Sequence, residues 1–234
     1  MPDLPFFVPA TLVLAIPIAV YCFYRASHNR VFLLIAFGWL ALQAGLALSG
    51  FYVNEGTIPP RIPLAIMPAV IPLLALFRFR KGRRFLDRLD LRWLTMLHVA
   101  RLPMDLVLFW LYQAGEAPQK LTFAGWNGDI LVGLTAPVIV WLAFGPKGAL
   151  RRPKLLLGWN LVSLAFLLIL ATMTLASIPT IMQALSFQRP MVGILYFPYI
   201  WMPSGIFPLI FIAQLVVLRR SSSKQNLLAA SEPY

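Results

Sequence analysis

A segment of membrane length occupies residues 93–113 and reads WLTMLHVARLPMDLVLFWLYQ. Three ionisable side chains, those of His98, Arg101 and Asp105, interrupt its apolar run. An ionisable group inside the hydrocarbon costs at least about 2.5–3.5 kcal/mol, so three on one segment call for a structural or functional reason. We therefore expect a transmembrane helix whose polar face is shielded from lipid by the rest of a helical bundle.

The composition of the whole chain also indicates an integral membrane protein. Hydrophobic residues make up 60% of the 234 residues and charged residues only 12%, whereas about a quarter of the residues of a soluble domain are charged. The mean hydropathy of +0.78 agrees with this. The one cysteine, Cys22, excludes an intramolecular disulfide and any cysteine-based metal cluster.

Seven stretches are long and apolar enough to cross a bilayer, because a spanning helix needs about 20 largely apolar residues. They are residues 5–24, 31–52, 61–77, 93–113, 126–145, 155–176 and 196–218. The start of the chain has no basic region and no cleavage site, so the first stretch is interpreted as a retained helix. The predicted fold is all-α: a bundle of seven transmembrane helices over residues 1–220, then a short polar cytoplasmic tail at 221–234.

The basic residues predict the orientation of this bundle. Sixteen Lys and Arg residues fall on alternate connections and only three on the others, with Arg101 left in the membrane. By the positive-inside rule the N-terminus is outside and the C-terminus cytoplasmic. Seven of the sixteen lie between residues 78 and 92. That connection looks like an anionic-lipid contact, but we interpret it as the loop that sets the topology. Membrane lipids are thus expected partners, and nucleic acid is not.

The ionisable residues of the segment 93–113 share one side of the helix. At 100° per residue, His98, Arg101 and Asp105 lie within about 60° of each other. Arg101 and Asp105 are four residues apart, so we expect them to neutralise each other. Pro103 has no N–H, which should free the carbonyl of Val99 as a further acceptor for the guanidinium.

The next helix begins with a second polar group at the outer side of the membrane. Asp129 and Asp105 differ by only about 7 Å in predicted depth. Adjacent helices would then bring four residues around one outward-facing polar pocket: Arg101, Asp105, Asn127 and Asp129. Gln43, at mid-depth in the second helix, is a further candidate, and Glu116 and Arg189 are expected over the mouth of the pocket.

Three roles for this cluster stay open at this point. A buried Arg–Asp pair can fix helix packing without touching a ligand; the others are a site for a solute, lipid headgroup or proton, and a catalytic site. His98 is more typical of a hydrogen-bonded packing histidine than of a ligand or proton relay. No nucleophile or metal-ligand set stands beside it, so we expect no cofactor and no metal and do not favour an enzyme.

The last helix contains Pro198, Pro203 and Pro208 at five-residue intervals, with Ser204 and Gly205 in between. Prolines in membrane helices leave carbonyls unpaired and allow kinks, which either fit a helix to its neighbours or serve a ligand. The first of these two interpretations is favoured.

Several stretches of the chain together resemble an uncharacterised family of bacterial seven-helix integral membrane proteins. They are Arg101 with Asp105, TFAGWNGDI at 122–130, GLTAP at 133–137 and YFPYIWMP at 196–203. The resemblance implies the same fold and a bacterial inner (plasma) membrane, and it brings no activity.

The sequence leads to one functional hypothesis and two competitors. The first is small-solute or proton-coupled transport or sensing through the polar pocket around Arg101 and Asp105, with a small anionic or polar solute as partner. The second is a non-catalytic accessory or assembly subunit with a membrane protein partner, in which the cluster only packs helices. A lipid-modifying enzyme that uses His98 or Asp105 as base is the least favoured.

Overall fold

The computed structural model describes residues 4–53, 61–146, 148–178 and 190–221. Over these residues the chain is helical and contains no β-strand, with one isolated bridge between Phe144 and Leu150. The all-α class predicted from the sequence is therefore confirmed for the described part of the chain.

Nine α-helices follow each other along the chain, joined in three places by shorter helical turns. They are α1 (Phe7–Ser27), α2 (Arg30–Leu48), α3 (Ile62–Arg78), α4 (Arg80–Arg88), α5 (Leu91–Met96), α6 (Arg101–Gln113), α7 (Asp129–Ala143), α8 (Pro153–Ser177) and α9 (Phe207–Ser221) among the described residues. A 3₁₀ turn at Leu97–Ala100 makes α5 and α6 one continuous segment, Leu91–Gln113. A π-helical turn at Met202–Ile206 leads into α9.

Five of these segments are long and apolar enough to cross a membrane: α1, α2, Leu91–Gln113, α8 and Met202–Arg220. A sixth is counted if α3 and α4, which meet at a bend of 99°, are taken as one broken span. Helix α7 is apolar but has only 15 residues. Apolar helices of membrane length are thus present, and the count of seven stays a prediction.

The basic connection between residues 78 and 92, expected to be a loop, contains helix α4. Helix α3 ends at Arg78, and the extended backbone of Phe79 turns the chain sharply into α4. Gly82 permits this turn, because a Cβ there would lie 2.4 Å from the carbonyl oxygen of Leu76. A run with so many charges looks like a loop in the sequence, because its few apolar residues form a buried stripe only about one helical turn long.

The segment Leu91–Gln113 lies at the centre of the molecule. Helices α1 and α7 pack against it along its length, and α9 packs against its first half. In its most apolar stretch of 18 residues, 61% of the residues are buried, against 17% in the corresponding stretch of α2, which lies at the periphery. Thr95, His98, Arg101 and Asp105 are all buried, so the prediction that this polar face turns into the bundle is confirmed.

Helix α2 is held to the last span by two indole N–H groups. Trp39 Nε1 donates to the carbonyl of Ser204 at 2.8 Å, and Trp201 Nε1 donates to the carbonyl of Leu40 at 2.9 Å. The Ser204 carbonyl is available because Pro208, four residues later, has no N–H to offer it. We call these two bonds the tryptophan clamp. They support the interpretation that the prolines of the last helix fit it to its neighbours.

Candidate functional site

The guanidinium of Arg101 pairs with Asp129 on α7, not with Asp105. Arg101 Nη1 lies 2.9 Å from Asp129 Oδ1, and the two residues are 1% and 2% exposed. Asp105 Oδ1 instead accepts a hydrogen bond from Asn127 Nδ2 at 2.6 Å. The direct pair expected between residues four apart on one helix is therefore not formed, because each side chain bonds to a partner on the neighbouring segment, although Asp105 still interacts electrostatically with Arg101.

A close crossing of α6 and α7 brings these side chains together. A Cβ on Gly133 would lie 2.9 Å from Leu102 Cγ and 3.0 Å from the backbone nitrogen of Leu102. The absence of a side chain there lets the two backbones approach. Asp129 is one turn before Gly133 on the same face of α7, so its carboxylate reaches Arg101.

Asn127 forms hydrogen bonds both to the start of α7 and to the carboxylate of Asp105. Its Oδ1 accepts from the backbone N–H of Asp129 at 2.9 Å. Its amide nitrogen donates to Asp105 and also to the carbonyl of Leu121, at 3.1 Å. Asn127 is 9% exposed and Asp129 2%, so both residues are buried and do not form an open mouth.

Helix α8 adds a third wall that the sequence analysis missed. Arg101 Nη1 also donates to the carbonyl of Ser163 at 3.3 Å. The side chain of Arg101 forms no hydrogen bond to the Val99 carbonyl, so the prediction of that further acceptor was wrong. Ser163 Oγ accepts from Gln214 Nε2 at 2.6 Å, and Asn160 donates to the Gln214 carbonyl at 3.0 Å. In the sequence this wall could have been recognised from the polar side chains at residues 160, 163 and 214, which interrupt apolar helices.

Several polar atoms of the cluster have no hydrogen-bond partner among the described residues. They are Nε and Nη2 of Arg101, Oδ2 of Asp105 and both ring nitrogens of His98. The His98 ring packs edge-on against Trp159, with 5.2 Å between ring centroids. His98 thus has an aromatic packing contact, but the hydrogen bond expected of a packing histidine has no counterpart in the described chain.

Gln43 and Glu116 contribute no hydrogen bond to the cluster among the described residues. Gln43 is buried in α2 and accepts a hydrogen bond of 2.5 Å from the Tyr52 hydroxyl; none of the hydrogen bonds of the described residues joins it to Arg101. Glu116 is half-buried, and its carbonyl accepts from the backbone nitrogens of Val192 and Gly193. Arg189, predicted beside Glu116, lies outside the described residues.

The Arg101–Asp129 pair forms part of the wall of an otherwise apolar cavity of about 410 Å³. Helices α3, α6, α8 and the last span surround it. Its exposed lining residues, such as Met67 and Ile71 on α3 and Leu168 on α8, show that it opens sideways between these two helices. Its volume falls within the about 300–1,000 Å³ that ligand sites commonly enclose.

No group of three or more His, Cys, Asp or Glu side chains within the described ranges is placed to hold a metal ion. No family profile, no curated protein and no solved structure matches this chain. The resemblance to a bacterial seven-helix family therefore stays a prediction.

Proposed function

We propose that the chain is a multi-pass protein of a bacterial inner membrane, with seven spans, its N-terminus outside and its C-terminus in the cytoplasm. Helices α3 and α7 would supply the two spans beyond the five long apolar segments. The 16-to-3 division of basic residues supports the orientation. In the fold, Asp90 N–H bonds to the Ala26 carbonyl and Arg219 pairs with Asp87, so basic ends of several helices meet on one side.

We propose further that the chain transports or senses a small solute in a proton-coupled manner at the Arg101 cluster. One observation carries this proposal: a single buried guanidinium faces two buried carboxylates, those of Asp105 and Asp129, beside a cavity. Both carboxylates interact electrostatically with Arg101. With all three groups ionised the cluster holds one net negative charge.

A net charge buried in the membrane is costly unless something neutralises it. One proton is enough here, and the pair of carboxylates would share it as a coupled unit. Asp105 is the better carrier, because its Oδ2 has no partner among the described residues while Asp129 is engaged with Arg101. Asp105 would then take up and release the proton that accompanies the solute.

Arg101 would couple the proton to the cavity by exchanging partners. It pairs with Asp129 across the helix crossing, and Asp105 is four residues away on its own helix, within reach of a long side chain. Deprotonation of Asp105 would draw the guanidinium away from Asp129, which forms part of the cavity wall. Its free Nε and Nη2 donors suit a carbonyl, carboxylate or other acceptor on a small polar or anionic solute.

Native mass spectrometry of the detergent-purified protein tests this proposal. We expect the wild type to retain a small molecule that Arg101→Ala loses while the variant still inserts into the membrane. Ala171→Phe, which fills the cavity without touching the charged groups, should lose the same molecule. Ala165→Phe, on the exposed face of α8, should keep it.

The competing function is that of an accessory or assembly subunit. The near-complete burial of the cluster and its bonds to α7 and α8 favour it, since these contacts also serve packing. In that case the wild type carries no small molecule, Arg101→Ala lowers only the thermal stability, and a membrane protein partner co-purifies. That set of results would overturn the transport or sensing proposal.

A further inference from the structure

A second cavity is also lined by α3 and the last span, but contains none of the residues of the charged cluster. It encloses about 360 Å³ between α1, α2, α3 and the last span, and apolar side chains line almost all of it. Val31 and Ile35, which line it from α2, are 59% and 67% exposed. The cavity is therefore open to the bilayer between α2 and α3.

The length of this cavity matches one leaflet of a membrane. Its lining residues on α2 run from Val31 to Leu40, which spans about 13–14 Å at 1.5 Å per residue. Half of a hydrocarbon core of about 30 Å is about 15 Å. At the mid-membrane end the cavity reaches three of the four residues of the tryptophan clamp, Trp39, Leu40 and Ser204. Its other end reaches Phe85 on α4 and Asn29, the N-cap of α2.

That other end is strongly basic. Lys81 and Arg88 lie four residues before and three residues after Phe85, so they share its side of α4. Arg30 stands between Asn29 and Val31, both of which line the cavity. All three side chains are exposed and have no ion-pair partner in the part of the chain that the structure describes. The one acidic residue inside α4, Asp87, is already paired with Arg219.

Helix α4 itself has the placement of an interfacial helix. It leaves α3 at 99°, so it lies nearly parallel to the membrane surface if α3 crosses the membrane. It presents basic residues to solvent and buries Leu86, while Phe79 before it is 64% exposed. Short amphipathic helices with this division rest at the boundary between headgroups and acyl chains.

We propose that this cavity binds an anionic membrane lipid. One acyl chain would fill the groove between α2 and α3 down to the tryptophan clamp, and the headgroup would lie against Arg30, Lys81 and Arg88. The inference is independent of the solute site around Arg101, since the two cavities share no charged residue.

The test is native mass spectrometry of the delipidated full chain with phosphatidylglycerol and phosphatidylcholine of identical acyl chains. We expect one phosphatidylglycerol bound per chain, with at least tenfold preference over phosphatidylcholine. The variant Arg30→Gln/Lys81→Gln/Arg88→Gln should bind the two lipids about equally, because each basic residue near the membrane surface contributes up to roughly fivefold. The matched control Arg151→Gln/Arg152→Gln/Lys154→Gln removes three exposed charges around the start of α8 and should leave the preference in place.

A second pair of variants tests the groove separately from the headgroup site. Ala36→Phe fills the cavity from α2 and should abolish retention of both lipids, whereas Ala41→Phe, on the exposed side of the same helix, should not. Equal binding of the two lipids to the wild type would overturn the inference. So would an equal loss in the two triple variants, or retention of the lipid by Ala36→Phe.

Discussion

The tryptophan clamp and the Arg101 cluster both join buried helices through polar groups, yet they differ in how completely those groups are paired. In the clamp each indole N–H meets a backbone carbonyl, and neither Trp39 nor Trp201 carries a charge. The Arg101 cluster leaves two guanidinium nitrogens and one carboxylate oxygen without a partner among the described residues. Polar atoms left unpaired on charged groups are costly where water is excluded, so this difference supports the proposal that the cluster does more than pack helices.

The largest effect is expected from breaking the ion pair. Asp129→Leu breaks the buried pair and leaves Asp105, which is held by Asn127, as the nearest counter-charge of the Arg101 guanidinium. Breaking a buried pair by removing one partner should lower the free energy of unfolding by about 3–5 kcal/mol. Unfolding of the purified protein in mixed detergent micelles measures it. Asp87→Leu removes an ion pair whose side chains are 37% and 48% exposed, and its cost should stay within about 0–1 kcal/mol. Similar costs for the two variants would contradict the comparison.

Removing both charges of the pair sharpens the same point. Arg101→Met/Asp129→Leu should recover most of the stability, because apolar residues of similar size replace a buried pair at little cost. It should still lose any retained solute. A double variant that stays as unstable as Asp129→Leu alone would show that the guanidinium holds the bundle by other contacts.

The close crossing of α6 and α7 should tolerate no added methyl group. Gly133→Ala places a Cβ about 3 Å from Leu102, and overpacking of this kind costs about 1–3 kcal/mol. Gly158→Ala is the matched control on α8, since nothing lies within 4 Å of its Cβ position. There the helix propensity of alanine should stabilise by up to about 1 kcal/mol. Thermal unfolding of the two variants gives opposite shifts if the crossing is as tight as the structure has it.

Each bond of the tryptophan clamp should contribute modestly. Trp39→Phe and Trp201→Phe remove one N–H donor each and should cost about 0.5–1.5 kcal/mol. Trp141→Phe serves as control, because Trp141 is 78% exposed. A loss much above this range would mean that the two indole bonds contribute more than ordinary neutral hydrogen bonds and would contradict the comparison.

The neutral bond between α8 and α9 should contribute least. Gln214→Leu removes the donor to Ser163 Oγ, and polar contacts of this kind in membranes contribute about 0.6 kcal/mol on average. Gln113→Leu, at the exposed end of α6, should change stability less. The difference between these two variants, measured by thermal unfolding, isolates the buried bond.

The helices were predictable from the sequence because apolar length is a local property of the chain. The partner of Arg101 was not predictable in this way, because a residue four positions away on the same helix competes with residues on other helices. The close crossing at Gly133 and the bond from Asn127 to Asp105 decide which partner Arg101 meets, and both depend on how the helices pack. Helix α4 was missed because its charge dominates its nine residues. Asn160, Ser163 and Gln214 were visible in the sequence as polar residues in apolar helices but received no role.

The most direct test of whether the Arg101 cluster carries an exchangeable proton is infrared difference spectroscopy. It is recorded on the membrane-embedded protein while the pH is titrated around neutrality. We expect a protonated-carboxyl band that disappears in Asp105→Asn and persists in Asp87→Asn, whose carboxyl group lies at the surface. A spectrum in which no carboxyl band depends on Asp105 would contradict the proton-coupled role and leave the cluster as helix packing.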